Sequence, residues 1–392
     1  MNKKARVIAF YLPQFHPIPE NDKFWGKGFT EWTNAAKAKP LFKGHHQPHI
    51  PADLGFYDLR LPEVREAQAE LAKEAGVEGF CYWHYWFGNG KQLLQEIFNE
   101  VVESGKPDFP FCLGWANHSW NNKNWQNTPT FSKDFYIAEQ TYPGPEDHKT
   151  HFYSLLKAFK DNRYIKVDGK LLFYIFAPLK FPNVTEFMSQ WNDLAHKEGL
   201  QGFYFVGLQE STNLLSFSNI FKFSNQRKIF EDPKVLFNKI LGLGFDGVNS
   251  RGLNISRYRY NSPLLSFFRH HINRFLYSKL DWHPVDKYDF KRICENMFTE
   301  EEKRDNVYPT IIPNWDRSPR AGKRASVWYN YKPEYFKKQV KLALELIKDR
   351  PEQHRILFLM AWNEWGEGNY MEPDLEYGHG YINALREAID ET

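Results

Sequence analysis

Eight short stretches of the chain are almost continuously apolar or aromatic. They are RVIAFYL (Arg6–Leu12), VEGFCYW (Val77–Trp83), FPFCLGW (Phe109–Trp115), LLFYIF (Leu171–Phe176), GFYFVG (Gly202–Gly207), FDGVN (Phe245–Asn249), VYPTIIP (Val307–Pro313) and RILFLMAW (Arg355–Trp362). Strands of this kind are buried on both faces, as in a parallel sheet, rather than alternating between core and water. Between several of them the apolar period lengthens to that of a helix. Pro62–Ala75 opens on proline and is followed by Gly76, the usual helix start and stop. Lys91–Ser104, His148–Asp161, Val184–Glu198 and Pro333–Lys348 also read as amphipathic helices.

Eight such strands with intervening helices predict an α/β fold, a (β/α)8 TIM-type barrel with long βα-loop insertions. A doubly wound open sheet would call for a glycine-rich phosphate turn after the first strand, and YLPQFHPIPE is not one. Residues 13–60 form one insertion, rich in Pro, Gly, His and Trp, and 209–306 another, holding the sixth strand and much irregular sequence. With no internal repeat or clean linker, 1–392 is expected to be one catalytic domain, with 209–306 an embellished insertion region within the barrel.

Composition narrows the picture. Aromatics make up 17% of the 392 residues, more than a core alone needs, and surplus Trp and Tyr commonly build ligand platforms. A net charge of +3 and the absence of a nucleic-acid-reading motif give no reason to expect nucleic acid as a partner. Cys81, Cys112 and Cys294 form no CxxC pair, so neither a zinc site nor a disulfide scaffold is expected, and the count suits a reducing compartment. Cys81 and Cys112 read as small core residues. MNKKARVIAFYLPQF starts basic and turns apolar, but lacks a small-residue cleavage site, and no run reaches the ~18 apolar residues of a membrane span. The expectation is a soluble, cytoplasmic protein.

In a barrel of this class the chemistry sits at the C-terminal ends of the strands. Polar and aromatic residues gather there. Tyr11, Gln14 and His16 follow the first strand; Trp83, His84 and Trp86 the second; Trp115, Asn117 and His118 the third; Asn314, Trp315 and Asp316 the seventh. The eighth runs into AWNEWGEGNYMEPD, which carries Asn363, Glu364, Trp365 and Glu367. Two carboxylates among flat aromatic faces suit glycoside chemistry: one protonates the leaving oxygen, the other acts as base or nucleophile. Glu364 and Glu367 are the catalytic candidates and the other residues named are candidate sugar contacts. For His84 a sugar contact and a buried structural histidine remain equally open. His45, His46 and His49 in GHHQPH match no metal-binding spacing and are expected to serve their loop, so no metal or cofactor is expected. Arg251–Leu280 holds six basic residues and no acidic one among several Leu and Phe. A packed rim helix explains it best; peripheral contact with an anionic membrane is the alternative.

FYLPQFHPIPENDKFWGKGFTEWTN, GHHQPHIPADLGFYDLR, GVEGFCYWHYWF and AWNEWGEGNYMEPD resemble the glycoside hydrolase family 99-like domain, specifically its WbsX-type branch associated with lipopolysaccharide and other surface-polysaccharide biosynthesis. The likeness is dense over the N-terminal 120 residues, returns at PNWDRSPR and 355–377, and is thin over 210–300. It implies a (β/α)8 barrel and retaining, endo-acting cleavage of α-mannose-like linkages through a 1,2-anhydro sugar. Carried over, Glu364 is the base toward the sugar 2-hydroxyl and Glu367 the general acid, then base. Tyr11, Trp83, His84, Trp86, Asn117, Asn314, Asp316, Asn363 and Trp365 would contact sugar. The branch usually reads WANE where this chain reads WANHSW, so His118 replaces an acid, and IFAP after the fourth strand lacks the usual arginine. The expected substrate is an oligosaccharide or polysaccharide, free or lipid-linked. The alternatives are a cytoplasmic glycosyltransferase of lipopolysaccharide or capsule assembly, against which no DxD motif is apparent, and an inert glycan-binding domain.

Overall fold

The structure, a computed structural model, describes residues 4–121, 136–209, 233–260 and 285–392, together with 268, 272, 275 and 276. The eight apolar runs are its central strands: β1 (Arg6–Tyr11), β2 (Val77–Trp86), β3 (Phe111–Trp115), β4 (Lys170–Ile175), β5 (Phe203–Leu208), β6 (Gly247–Ser250), β7 (Val307–Ile311) and β8 (Ile356–Leu359). Each lies parallel to the next, and β8 pairs with β1, so the ring closes as a (β/α)8 barrel.

Helices cover the outside, among them α1 (Glu31–Lys37), α2 (Pro62–Glu74), α3 (Gln95–Ser104), α4 (Pro145–Ser154), α5 (Val184–Lys197), α6 (Pro233–Gly242), α7 (Pro333–Ile347) and α8 (Gly380–Glu391). Their apolar stripes explain the arrangement: α7 buries Phe336, Val340, Ala343, Leu344 and Ile347, one face of a 3.6-residue period.

Two boundaries differ from expectation for local reasons. Gln92–Leu93 pair antiparallel with the end of β2, so β2 runs on to Trp86 and α3 begins later, after Leu94 in a left-handed conformation (φ 59°). The helix expected from His148 starts three residues earlier at Pro145, which has no N–H to leave unsatisfied at a first turn.

The barrel interior is filled by side chains. Phe10 stacks on Trp83 at 4.7 Å and 5°, with Tyr174 at 4.9 Å and Phe358 at 5.4 Å. Gly114 makes room for the indole: a Cβ there would lie 3.1 Å from both the Trp83 ring and Cys81 Sγ. Tyr174 donates to Asn249 Oδ1 (2.9 Å), and the Asn249 amide donates to Tyr308 O and Thr310 Oγ1 (both 2.9 Å), so the polar ends of these two side chains are paired inside the barrel. At the seam Trp362 N donates to Phe10 O at 2.8 Å, and the Asn363 side chain clips both backbone groups of Leu12, at 2.8 and 3.1 Å.

Candidate active site

A cavity of about 550 Å³ opens at the C-terminal end of the barrel. Trp83 is in its wall, and Glu364 and Glu367 lie beside it on a short hairpin: Asn363–Glu364 pairs with Asn369–Tyr370 around a single turn, Trp365–Glu367. Two glycines permit this turn. A Cβ on Gly366 would sit 1.9 Å from Glu31 Oε2, and Gly368 takes φ +59° with Asp316 Cβ only 2.8 Å from where its own Cβ would be.

Arg320 ties three carboxylates together. Its Nη1 donates to Glu364 Oε1 at 2.9 Å and lies 2.8 Å from Glu367 Oε1. Its Nε donates to Glu31 Oε2 at 3.1 Å, and Nη2 is 3.1 Å from Glu31 Oε1. Arg317 adds an ion pair to Glu367 at 3.0 Å. Because Glu364 and Glu367 share one nitrogen, their facing oxygens are less than about 6 Å apart, compatible with the spacing of retaining glycosidases.

The two glutamates are driven apart in proton affinity. Burial, then the neighbouring Glu367 charge, push Glu364 up to about 7, against the pull of Arg320 and Arg251. Burial also opposes the charge of Glu367, but Arg317 and Arg320 outweigh it and hold that carboxyl below its usual value. Near neutrality Glu367 is therefore ionised while Glu364 lies close to its own midpoint, so of the two it is Glu364 that holds a proton more readily. Fully buried Glu31 is also raised by desolvation, moderated by Arg320.

Of the candidates from the sequence, Gln14, Trp83, His118, Trp315, Glu364 and Glu367 line this cavity. The others are held elsewhere. Tyr11 donates to Gln68 (2.7 Å), which with Tyr57 and Trp365 surrounds buried Glu372; Trp365 Nε1 donates to that carboxylate at 2.6 Å and stacks on Tyr370 at 3.7 Å. His84 and Trp86 point outward from β2: His84 Nε2 lies 2.8 Å from His151 Nε2, and Trp86 stacks on His151 at 4.5 Å and donates to Asp147. His84 is thus the buried structural histidine of its two readings. Trp115 donates to Trp86 O in the same outer layer. Asn117 braces Ala177, with its Oδ1 accepting from Ala177 N and its amide donating to Ala177 O. His16 is buried with neither ring nitrogen bonded among the described residues, and Asn314 is buried off the cavity wall. Asn363 is the seam clip.

Asp316 is structural as well. Its carboxylate meets His45 Nε2 at 2.7 Å and Gln47 Nε2 at 2.6 Å and accepts from Ser318 N, which binds the GHHQPH loop to the segment carrying Arg317 and Arg320. His46 pairs with Glu376, and no group of three or more His, Cys, Asp or Glu among the described residues could hold a metal ion.

Tyr85 and Arg317, which follow the second and seventh strands in the sequence, also line the cavity, whereas sequence reasoning missed Glu31 and Asn21 from the 13–60 insertion, Ser119, and Arg251 and Arg320 as members of the wall. The tryptophans that line the cavity are Trp25, Trp83, Trp120 and Trp315, while Trp362 and Trp365 are buried beneath it. Of the six basic residues in 251–280, Arg251 faces the cavity and Arg257 pairs with Asp286 at 2.7 Å; the side chain of Arg259, and Arg269, Arg274 and Lys279, lie outside what the structure describes. No helix among the described residues is long and apolar enough to cross a membrane.

A closed barrel with a glutamate pair at its strand ends is an architecture of carbohydrate-active enzymes. The chain matches the family described as Glycosyltransferase WbsX over residues 7–385 and belongs to it. It is 31% identical over 386 residues to the uncharacterized protein WxcX of Xanthomonas campestris pv. campestris (strain B100), covering 98% of this chain and 50% of that protein. It thus spans about half the length of the curated relatives it matches. Among solved structures it is similar in fold to a glycoside hydrolase-like protein, at TM-score 0.55 and 15% identity over 99% of this chain and 94% of the other. The GH99 endo-alpha-mannosidase from Bacteroides thetaiotaomicron gives TM-score 0.48 and 15% identity over 98% of this chain and 97% of the other.

Proposed function

We propose that the protein is a retaining, endo-acting glycoside hydrolase or transglycosidase for an α-linked, mannose-like glycan in surface-polysaccharide (O-antigen) metabolism. The observation that carries this reading is the pair Glu364 and Glu367, buried on one arginine nitrogen with their proton affinities driven apart, and walled by tryptophans. Trp faces take the C–H face of a sugar ring, and a protonated and an ionised carboxyl supply the acid and the base that glycosidic cleavage needs.

The family resemblance makes Glu364 the base toward the 2-hydroxyl and Glu367 the acid, the reverse of the order of proton affinities that the protein alone sets. Substrate reconciles them. A sugar hydroxyl donating to Glu364 favours its carboxylate form, and the new charge there raises the proton affinity of Glu367. The proton moves within the pair. Glu367 then protonates the leaving oxygen as the 2-hydroxyl, deprotonated by Glu364, attacks the anomeric carbon. Water or another acceptor then attacks the anomeric carbon and breaks its bond to O2, with Glu367 taking the acceptor's proton and Glu364 returning its own to O2.

The test is turnover of α-mannosides with good and poor leaving groups by wild type, Glu364→Gln and Glu367→Gln. Glu367→Gln should retain activity only where the leaving group needs no proton, while Glu364→Gln fails on both. The opposite pattern would assign the acid to Glu364, and full activity in both variants would remove the pair from catalysis. The family's own description favours a second reading, a glycosyltransferase, which would require a nucleotide-sugar donor for any product. The exposed Phe268, Ile272 and Phe275 support peripheral membrane contact of 251–280, as a lipid-linked substrate would use; failure to float with anionic liposomes would dismiss it.

A further inference from the structure

Two of the three arginines in the cavity wall are committed to its carboxylates, Arg317 to Glu367 and Arg320 to Glu31, Glu364 and Glu367. The third, Arg251, follows β6 and has no carboxylate partner among the described residues, although its field reaches both catalytic candidates. Its Nε meets Met360 Sδ at 2.8 Å. Its guanidinium carbon lies 5.5 Å from the centroid of the Trp315 ring and 6.0 Å from that of Phe176, and both rings also line the cavity. The stem and plane of the side chain are therefore held, while its two terminal nitrogens make no bond to the described residues.

A half-buried guanidinium without an anion is costly to keep unless something supplies one. Its neighbours supply none. Phe176, Leu253 and Trp315 are uncharged, and His118, whose ring packs 4.9 Å from Phe176, is neutral at pH 7. The surrounding protein, then Lys180 and Arg251, push the His118 pKa down, although the ring is open to the cavity. Three arginines face three carboxylates, and all three carboxylates are engaged by Arg317 and Arg320, none by Arg251.

We propose that Arg251 recognises a carboxylate on the glycan, that of a hexuronic acid unit bound beside the glutamate pair. The proposal deepens the glycan-cleaving reading and rests on it for the enzyme's purpose, not for the binding itself. The planar fork of arginine matches a carboxylate through two parallel N–H···O bonds. A phosphate monoester fits less well: near neutrality it carries roughly −1.5 to −2, more than one free arginine offsets. The flanking rings and the sulfur fix the fork before the ligand arrives, so little side-chain freedom is lost on binding.

The experiment is ligand-observed NMR titration of wild type, Arg251→Gln and Arg251→Lys with methyl α-glucuronide, its neutral twin methyl α-glucoside, and inorganic phosphate, at low and high salt. Thermal unfolding confirms that each variant is folded. Wild type should prefer the uronate by about tenfold or more, the strength of one charge-assisted bidentate pair. Arg251→Gln should erase the preference, Arg251→Lys should keep part of it, and salt should weaken it. Equal affinity for the two sugars in wild type, no binding of the uronate, or a preference that survives in Arg251→Gln would overturn the proposal. Tighter binding of phosphate than of uronate would overturn the assignment of carboxylate. None of these readouts needs turnover. Uronate binding without cleavage of any glycan would count against the glutamate-pair reading alone, and cleavage of neutral glycans with no uronate preference against this proposal alone.

Discussion

Replacing Glu364 by glutamine should make the protein more stable, and only above a certain pH. In the folded state burial and the charge of Glu367 raise the Glu364 pKa to about 7, while an unfolded glutamate titrates near 4.3. Above pH 7 the carboxyl is ionised in both states, and the native state bears the cost of a charge it would rather not hold. At 1.36 kcal/mol per pKa unit that cost is about 4 kcal/mol at pH 8.5. Below pH ~4 the group is protonated in both states and the cost is gone. Glutamine retains an oxygen for the Arg320 Nη1 bond and carries no charge at any pH. Denaturant unfolding of wild type and Glu364→Gln from pH 4 to 9 should show a gap that opens through the interval between those two pKa values and saturates at about 4 kcal/mol in favour of the variant. Glu372, also pushed up to about 7 by burial, is present in both proteins and cancels in the difference. A gap independent of pH, or a variant less stable than wild type at pH 8.5, would refute the charge distribution assigned to the pair.

Other substitutions probe the supports. Gly366→Ala places a Cβ 1.9 Å from Glu31 Oε2, so the Glu31 carboxylate must leave Arg320; a loss of about 3 kcal/mol in unfolding free energy, with loss of activity, is expected. Asp316→Ala strips the partner from His45, Gln47 and Ser318 N and should cost about 2–3 kcal/mol. The Asp316 pKa is lowered in the fold, so its contribution is present at neutral pH and fades as pH falls through the folded value; wild type and Asp316→Ala should converge in stability in acid.

The barrel was legible because strands buried on both faces write themselves as continuous apolar runs, and all eight such runs are strands. The same continuity hid which way each side chain points. Along HYW at 84–86 only Tyr85 faces the cavity, as does Trp83 before it, while His84 and Trp86 face α4; nothing in an unbroken aromatic run reveals that parity. The glutamate pair could be found because the motif is local. Its electrostatic partners could not: Glu31 and Arg320 meet Glu364 from 333 and 44 residues away in sequence, so only the closed ring brings them together. Trp362 and Trp365 drew attention by adjacency to the glutamates, yet they are 0% and 1% exposed and serve the core beneath. Arg251 was read as part of a basic surface stretch, because the sequence cannot show one residue of that stretch turning inward at the end of β6.

The clip between Asn363 and Leu12 joins residues 351 positions apart. Such a contact is among the slowest for a chain to find, since the whole intervening length must first be organised. Glu364 is the next residue after that clip, so the acid pair meets Glu31 and Trp83 only once the first and last strands have joined. A partly folded chain has the ingredients but no reaction centre. Regained activity on refolding should therefore report ring closure itself, appearing together with the last protected amides of β1 and β8.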